Sequence, residues 1–186
     1  MATKDGHPVI REVLASYGWF TQKTYDLVLT KDTIILVVVA PRTNGPAGLL
    51  KRMRAPPIDR VNDLGASMEQ EGTIVIPCST VRSVRFYAPP VQPNQEYDRL
   101  GLYVTHGPDG KRPRKLTIVI DARPYIMQRI SAETMPRGMS KQTLRWNEIL
   151  SEYAETVTAM LRSTLPPEII EKTEWRVPAD KGKRSS

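Results

Sequence analysis

A chain of 186 residues is long enough for one domain with a full core and short for two independent ones. Its 40% apolar and 25% charged residues exclude a disordered chain, and its longest apolar run, Ile34 to Ala40, falls far below the roughly 20 residues of a membrane-crossing helix. A net charge of +7 with a pI near 9.6 favours an acidic partner: nucleic acid, anionic lipid or an acidic protein surface.

The single cysteine, Cys78, excludes an intrachain disulfide and a Cys-rich zinc site; beside Pro77 it reads as a plain buried thiol. The start Met-Ala-Thr-Lys-Asp-Gly-His-Pro has no apolar signal core, so a cytoplasmic location is expected, with peripheral membrane attachment as the variant. The 16 prolines predict long, stiff connections.

From Val9 to Phe20, Ile10, Val13, Leu14 and Tyr17 fall at helical spacing before Gly18, which predicts a short amphipathic helix packed on a sheet. Residues 1–18 are therefore read as a helical leader. Trp19 and Phe20 follow as core or rim residues. Thr24 to Thr30 and Thr33 to Ala40, joined by Lys31-Asp32, read as a hairpin. Its first strand alternates and is half buried, while the β-branched run of the second is buried on both faces. The stretch 41–72, with Pro41, Pro46, Pro56 and Pro57, is a loop insertion of unusual length. Within it, Lys51, Arg52 and Arg54 surround Leu50 and Met53 as a small basic amphipathic turn, suited either to an anionic surface or to covering the sheet.

Strands resume at Thr73 to Pro77 and Val81 to Tyr87, joined by the Cys78-Ser79-Thr80 corner. A Pro-rich loop, Ala88 to Arg99, precedes Leu100 to Thr105. Gly107-Pro-Asp-Gly110 then turns the chain into Lys115 to Asp121, an alternating strand. The tip of this second hairpin holds Lys111, Arg112, Arg114 and Lys115, either as charge that blunts an edge or as a grip on phosphate groups. Ala122 to Met139 reads as irregular. A helix is expected from Ser140 to Ser163, with Trp146, Leu150, Tyr153, Val157, Met160 and Leu161 on one face and Leu165-Pro-Pro as its stop. Residues 166–186 are read as a mixed-charge tail, with disorder expected from Glu171 to Ser186 and a docking point at Trp175.

Chemistry finds little purchase. Two histidines, His7 and His106, give weak grounds for an imidazole base or a metal pair, and no Gly-rich phosphate loop is present. Asp59 with Asp63 and Glu148 with Glu152 are spaced by four, as solvent-facing helix acids usually are. No catalytic residue, metal ligand or cofactor is assigned.

The order of elements, together with Tyr25-Asp-Leu-Val-Leu-Thr-Lys-Asp-Thr-Ile-Ile-Leu-Val and Ile76-Pro77 leading through Ser79 to Val81-Arg-Ser-Val84, resembles prokaryotic pleckstrin-homology-like domains and the related GRAM domains. The resemblance spans about Trp19 to Leu165. It implies an α+β fold in which a small bent antiparallel sheet, or a partly open β-barrel, is capped by the long C-terminal amphipathic helix. The domain would run over residues 19–165. It also implies a non-enzymatic interaction module, binding a protein partner or an anionic membrane surface through Lys51, Arg52, Arg54, Lys111, Arg112, Arg114 and Lys115. Two other functions fit the residues. One is a barrel that binds single-stranded RNA or DNA, with Tyr103, Tyr87 or Trp19 stacking on bases. The other is an enzyme with a site around Asp59, Arg60 and Asp63.

Overall fold

Eight extended segments build one mixed sheet in the computed structural model, which describes residues 6–17, 22–39, 64–108, 110–133 and 136–177. In chain order the strands are β1 (Val9–Tyr17), β2 (Lys23–Leu29), β3 (Thr33–Val38), β4 (Ile74–Pro77), β5 (Val81–Tyr87), β6 (Arg99–His106), β7 (Arg114–Asp121) and β8 (Thr173–Arg176). The helices are α1 (Leu64–Glu69), α2 (Arg123–Ala132), α3 (Met139–Thr164) and α4 (Pro167–Glu171). Strand order is β4-β3-β2-β1-β7-β6-β5-β8, with every pairing antiparallel except β5 with β8.

The sheet is open, because β4 and β8 form its two edges. Of the two expected forms the partly open barrel gives way to the bent sheet, which is mixed rather than wholly antiparallel because β8 runs parallel to β5. Its bend follows from chain length. Strands β4 and β5 lie six places apart, about 29 Å on a flat sheet, yet only the 3-10 turn Cys78–Thr80 separates them. Four residue steps reach at most about 14 Å. The sheet must therefore curl until those two strands approach at one corner.

Period-two alternation then sorts the side chains. Leu27, Leu29, Ile34, Leu36, Phe86 and Ile118 turn into the concave main core, where Ile149, Leu150, Val157 and Leu161 of α3 meet them. The long C-terminal helix thus closes the fold by burying its apolar stripe. On the opposite face, Val9, Val28, Ile35 and Val37 form a second cluster with Leu64 of α1 packed against it. The run through β3 is buried on both faces, as its lack of alternation requires.

Several segments differ from the sequence reading. The helix expected over Val9–Phe20 is strand β1, which lies in the middle of the sheet between β2 and β7. The tail contains α4 and β8, of which β8 lies in the stretch expected to be disordered; Trp175 of β8 packs at 6.1 Å from Phe86 beneath the Arg162 guanidinium. Ala122 to Met139, read as irregular, includes α2, where Pro124 occupies a first-turn position that tolerates a missing N–H. Arg145 of α3 binds α2 through both oxygens of Glu133 and also contacts Glu148 and Glu152. Among the described residues, no helix is long and apolar enough to cross a membrane.

Candidate binding face and basic hairpin tip

The β6–β7 hairpin is pinned by register. Tyr103 pairs with Thr117, Thr105 with Lys115 and His106 with Arg114, up to a turn in which Gly107 and Gly110 adopt φ values of +145° and +75°. Glycine accepts that backbone without Cβ strain. Two contacts from the neighbouring corner brace the turn. Gly107 N donates to Thr80 O at 3.0 Å, and Arg82 Nη2 donates to the carbonyl oxygens of Pro108 at 2.6 Å and Lys111 at 3.4 Å. Lys111, Arg112, Arg114 and Lys115 are all exposed. Among the described residues, no carboxylate forms an ion pair with any of them. Four cations without an ion-pair partner among the described residues thus share one hairpin tip. Lys51, Arg52 and Arg54 lie outside the described residues, as do Trp19, Asp59, Arg60 and Asp63.

Behind the tip, Tyr17 Oη and His106 Nε2 share a 2.9 Å hydrogen bond with the rings 5.7 Å apart. Burial holds the His106 imidazole below its ordinary 6.5, and Arg114 lowers it further. Burial also raises the Tyr17 phenol, an effect that Arg114 opposes. The folded chain thus prefers neutral His106, whereas the unfolded chain takes up a proton near pH 6.5. This contribution is complete above that pH and is lost as pH falls from 6.5 through the lower folded value. Urea midpoints should therefore drop between pH 7.5 and pH 5.5, and His106→Gln should flatten that drop; an equal drop in the variant would assign it to other groups.

The outer face of β5, β6 and β7 is open to solvent, because α3 covers only the concave side. It carries the alternate residues: Arg85 and Tyr87 from β5, Tyr103 from β6, Lys115 and Thr117 from β7. Tyr103 is 41% exposed and Tyr87 37%. Register places Arg85 opposite Tyr103, and Tyr87 opposite Gly101. The Tyr103 ring leans over Gly101, where an added Cβ would lie 2.9 Å from Cε2 and 3.0 Å from the hydroxyl oxygen. On β8, Glu174 accepts from Arg85 Nε and Arg176 Nε, both at 2.6 Å. The bonds to Arg176 and then Arg85 hold the Glu174 carboxyl below the usual carboxylate range.

Sequence reading named Tyr87 and Tyr103 separately and missed Arg85 and Arg176 beside them. Arg85 could have been found from its alternation with Val84 and Phe86. Nothing in the tail marked Arg176, whose place depends on the parallel pairing of β8 with β5.

Other regions offer less chemistry. Two surface hollows of about 470 and 540 Å³ flank the Lys31–Asp32 turn, one beside Ser163 and Thr164, the other beside Cys78 and Lys172. The Cys78 thiol is buried, and desolvation followed by Asp32 pushes its pKa up, which disfavours the thiolate. Among the described residues, no group of three His, Cys, Asp or Glu side chains is placed to hold a metal ion.

No protein-family model matches the chain, and a search of curated proteins finds no match.

Proposed function

We propose that this chain is a non-enzymatic interaction module of pleckstrin-homology-like architecture that docks onto an anionic macromolecular partner through the β6–β7 tip. The carrying observation is the set of four exposed cations, Lys111, Arg112, Arg114 and Lys115, on a turn braced by Arg82. A compact cluster of this kind attracts phosphate-bearing or acidic surfaces over about a Debye length, roughly 8 Å at physiological salt. Support for the architecture comes from the four-strand meander β1–β4, the three-strand meander β5–β7, their junction at β1 and β7, and the long helix seated in the curl. The Lys51, Arg52 and Arg54 cluster belongs to the same proposal as a second contact.

Replacing Lys111, Arg112, Arg114 and Lys115 together by Gln should weaken binding to anionic vesicles or to a polyanion more than tenfold and leave the melting temperature unchanged. The assay is co-sedimentation with neutral and anionic vesicles at physiological ionic strength, with single-stranded nucleic acid as competitor. Binding that survives the quadruple substitution would place the contact elsewhere on the molecule.

A further inference from the structure

We infer that the outer face of β5, β6 and β7 binds single-stranded nucleic acid, with Tyr103 and Tyr87 stacking on bases while Lys115 and the hairpin tip hold phosphates. This rests on the reading of the tip as an anion-docking element and names the class of partner. Three features of the face point the same way.

The first is aromatic. Both tyrosines stand on the solvent side of a sheet whose other side is core, so neither ring is needed to fill the interior. Gly101 supplies the space into which the Tyr103 ring leans. A ring laid along a sheet presents a π-face to an unstacked base, and every base has a π-face, so such platforms tolerate sequence.

The second is charge. Lys115 stands opposite Thr105, two residues from Tyr103 on β6, or about 7 Å along the strand. Arg85 is the direct cross-strand partner of Tyr103, and Arg176 that of Tyr87. The carboxylate among these three cations is Glu174, which occupies the Nε atoms of the two arginines. Among the described residues the balance beside the rings is three positive charges against one negative. Farther along, Arg99 and Asp121 are register partners, so charge is balanced there.

The third is continuity. Lys115 belongs both to this face and to the tip, so a strand crossing the tyrosines leads straight onto Lys111, Arg112 and Arg114. A duplex hides its bases and would reach only the cations. A membrane surface would draw mainly on the cations, with the tyrosine rings resting at headgroup level rather than stacking on a partner.

The test measures binding of the full chain to labelled oligothymidine, to a duplex and to phosphatidylserine-containing vesicles at one salt concentration. Wild type should bind the single strand more tightly than the duplex, with affinity falling as salt rises. Tyr103→Ala should weaken single-strand binding about tenfold, Tyr103→Phe should retain it, and Tyr87→Ala should act in the same direction. Gly101→Ala, which pushes the ring off its seat, should reproduce part of the Tyr103→Ala loss without removing an aromatic group. None of these changes should alter vesicle binding. Single-strand affinity unaffected by the tyrosine and glycine variants but lost in the tip variant would overturn the stacking face while leaving the tip intact. Vesicle binding without any single-strand binding would also overturn it, in favour of a membrane surface. Absence of binding to all three probes would overturn the single-strand face and remove phosphate-bearing partners from the reading of the tip.

Discussion

Asp26→Ala is expected to cost the folded chain about 3–5 kcal/mol, because it removes a buried carboxylate that accepts two charge-assisted hydrogen bonds, from Arg11 and from the Glu12 amide. Strand β1 contains a bulge: Ile10 and Val13 both face the main core with two residues between them, and Glu12 sits at φ +55°. That left-handed conformation is uncommon outside glycine and turns the Glu12 amide out of the regular ladder. Asp26 of β2, only 1% exposed, receives it. Its Oδ1 accepts from Glu12 N at 3.0 Å and its Oδ2 from Arg11 Nη1 at 2.8 Å. One carboxylate therefore satisfies the backbone at the irregularity and holds the register of the central strand. Asp26→Asn keeps an acceptor but loses the charge, so it should cost less than the alanine. Urea unfolding of both variants is the measurement; a loss below about 1 kcal/mol for the alanine would show that packing alone holds the bulge.

Asn147→Leu should be the next most damaging change, at about 2–4 kcal/mol from three side-chain hydrogen bonds lost between α3 and the loop. The Pro-rich connection before β6 has no ladder of its own. Asn147 of α3, 2% exposed, supplies its partners instead. Its Nδ2 donates to Gln92 O at 2.7 Å and Gln95 O at 2.8 Å, and its Oδ1 accepts from Tyr97 N at 3.2 Å. Trp146 Nε1 adds a bond to Tyr97 O at 2.8 Å. Leucine has the same branching at Cγ and is somewhat larger, so the loss would not come from a cavity. The variant should also show faster proteolysis between Gln92 and Tyr97, while Trp146→Phe, which deletes one bond, should lose less. Wild-type stability in Asn147→Leu would show that water serves the loop equally well.

The misreading of β1 has a definite cause. Its core-facing residues are Ile10, Val13, Ala15 and Tyr17, and the bulge opens the first interval from two residues to three. With half-buried Leu14 on the other side, the resulting pattern of 10, 13, 14 and 17 imitates a helical stripe. Helix α2 was hidden by Pro124, which reads as a breaker unless its first-turn position is known. Strand β8 has four residues and pairs in parallel with β5 across a distance in sequence that no local pattern spans. The candidate face was half legible: the tip appears as a run of cations, whereas the grouping of Tyr103, Tyr87, Arg85 and Arg176 requires strand register.

Local chemistry by itself determined β2 to β7 and the long helix α3. Alternation, β-branched runs, the Gly-Pro-Asp-Gly turn and the Leu165-Pro-Pro stop act within a few residues and need no distant partner. It also determined an α+β chain with a basic hairpin tip. Only the tertiary structure decided that the sheet stays open, that a bulge seats β1 at its centre under Asp26, and that two tyrosines share one solvent-facing surface with cations from three strands. Each of those depends on which strand lies beside which. That choice is made by the fit of the whole concave face to α3, a sum over contacts far apart in sequence.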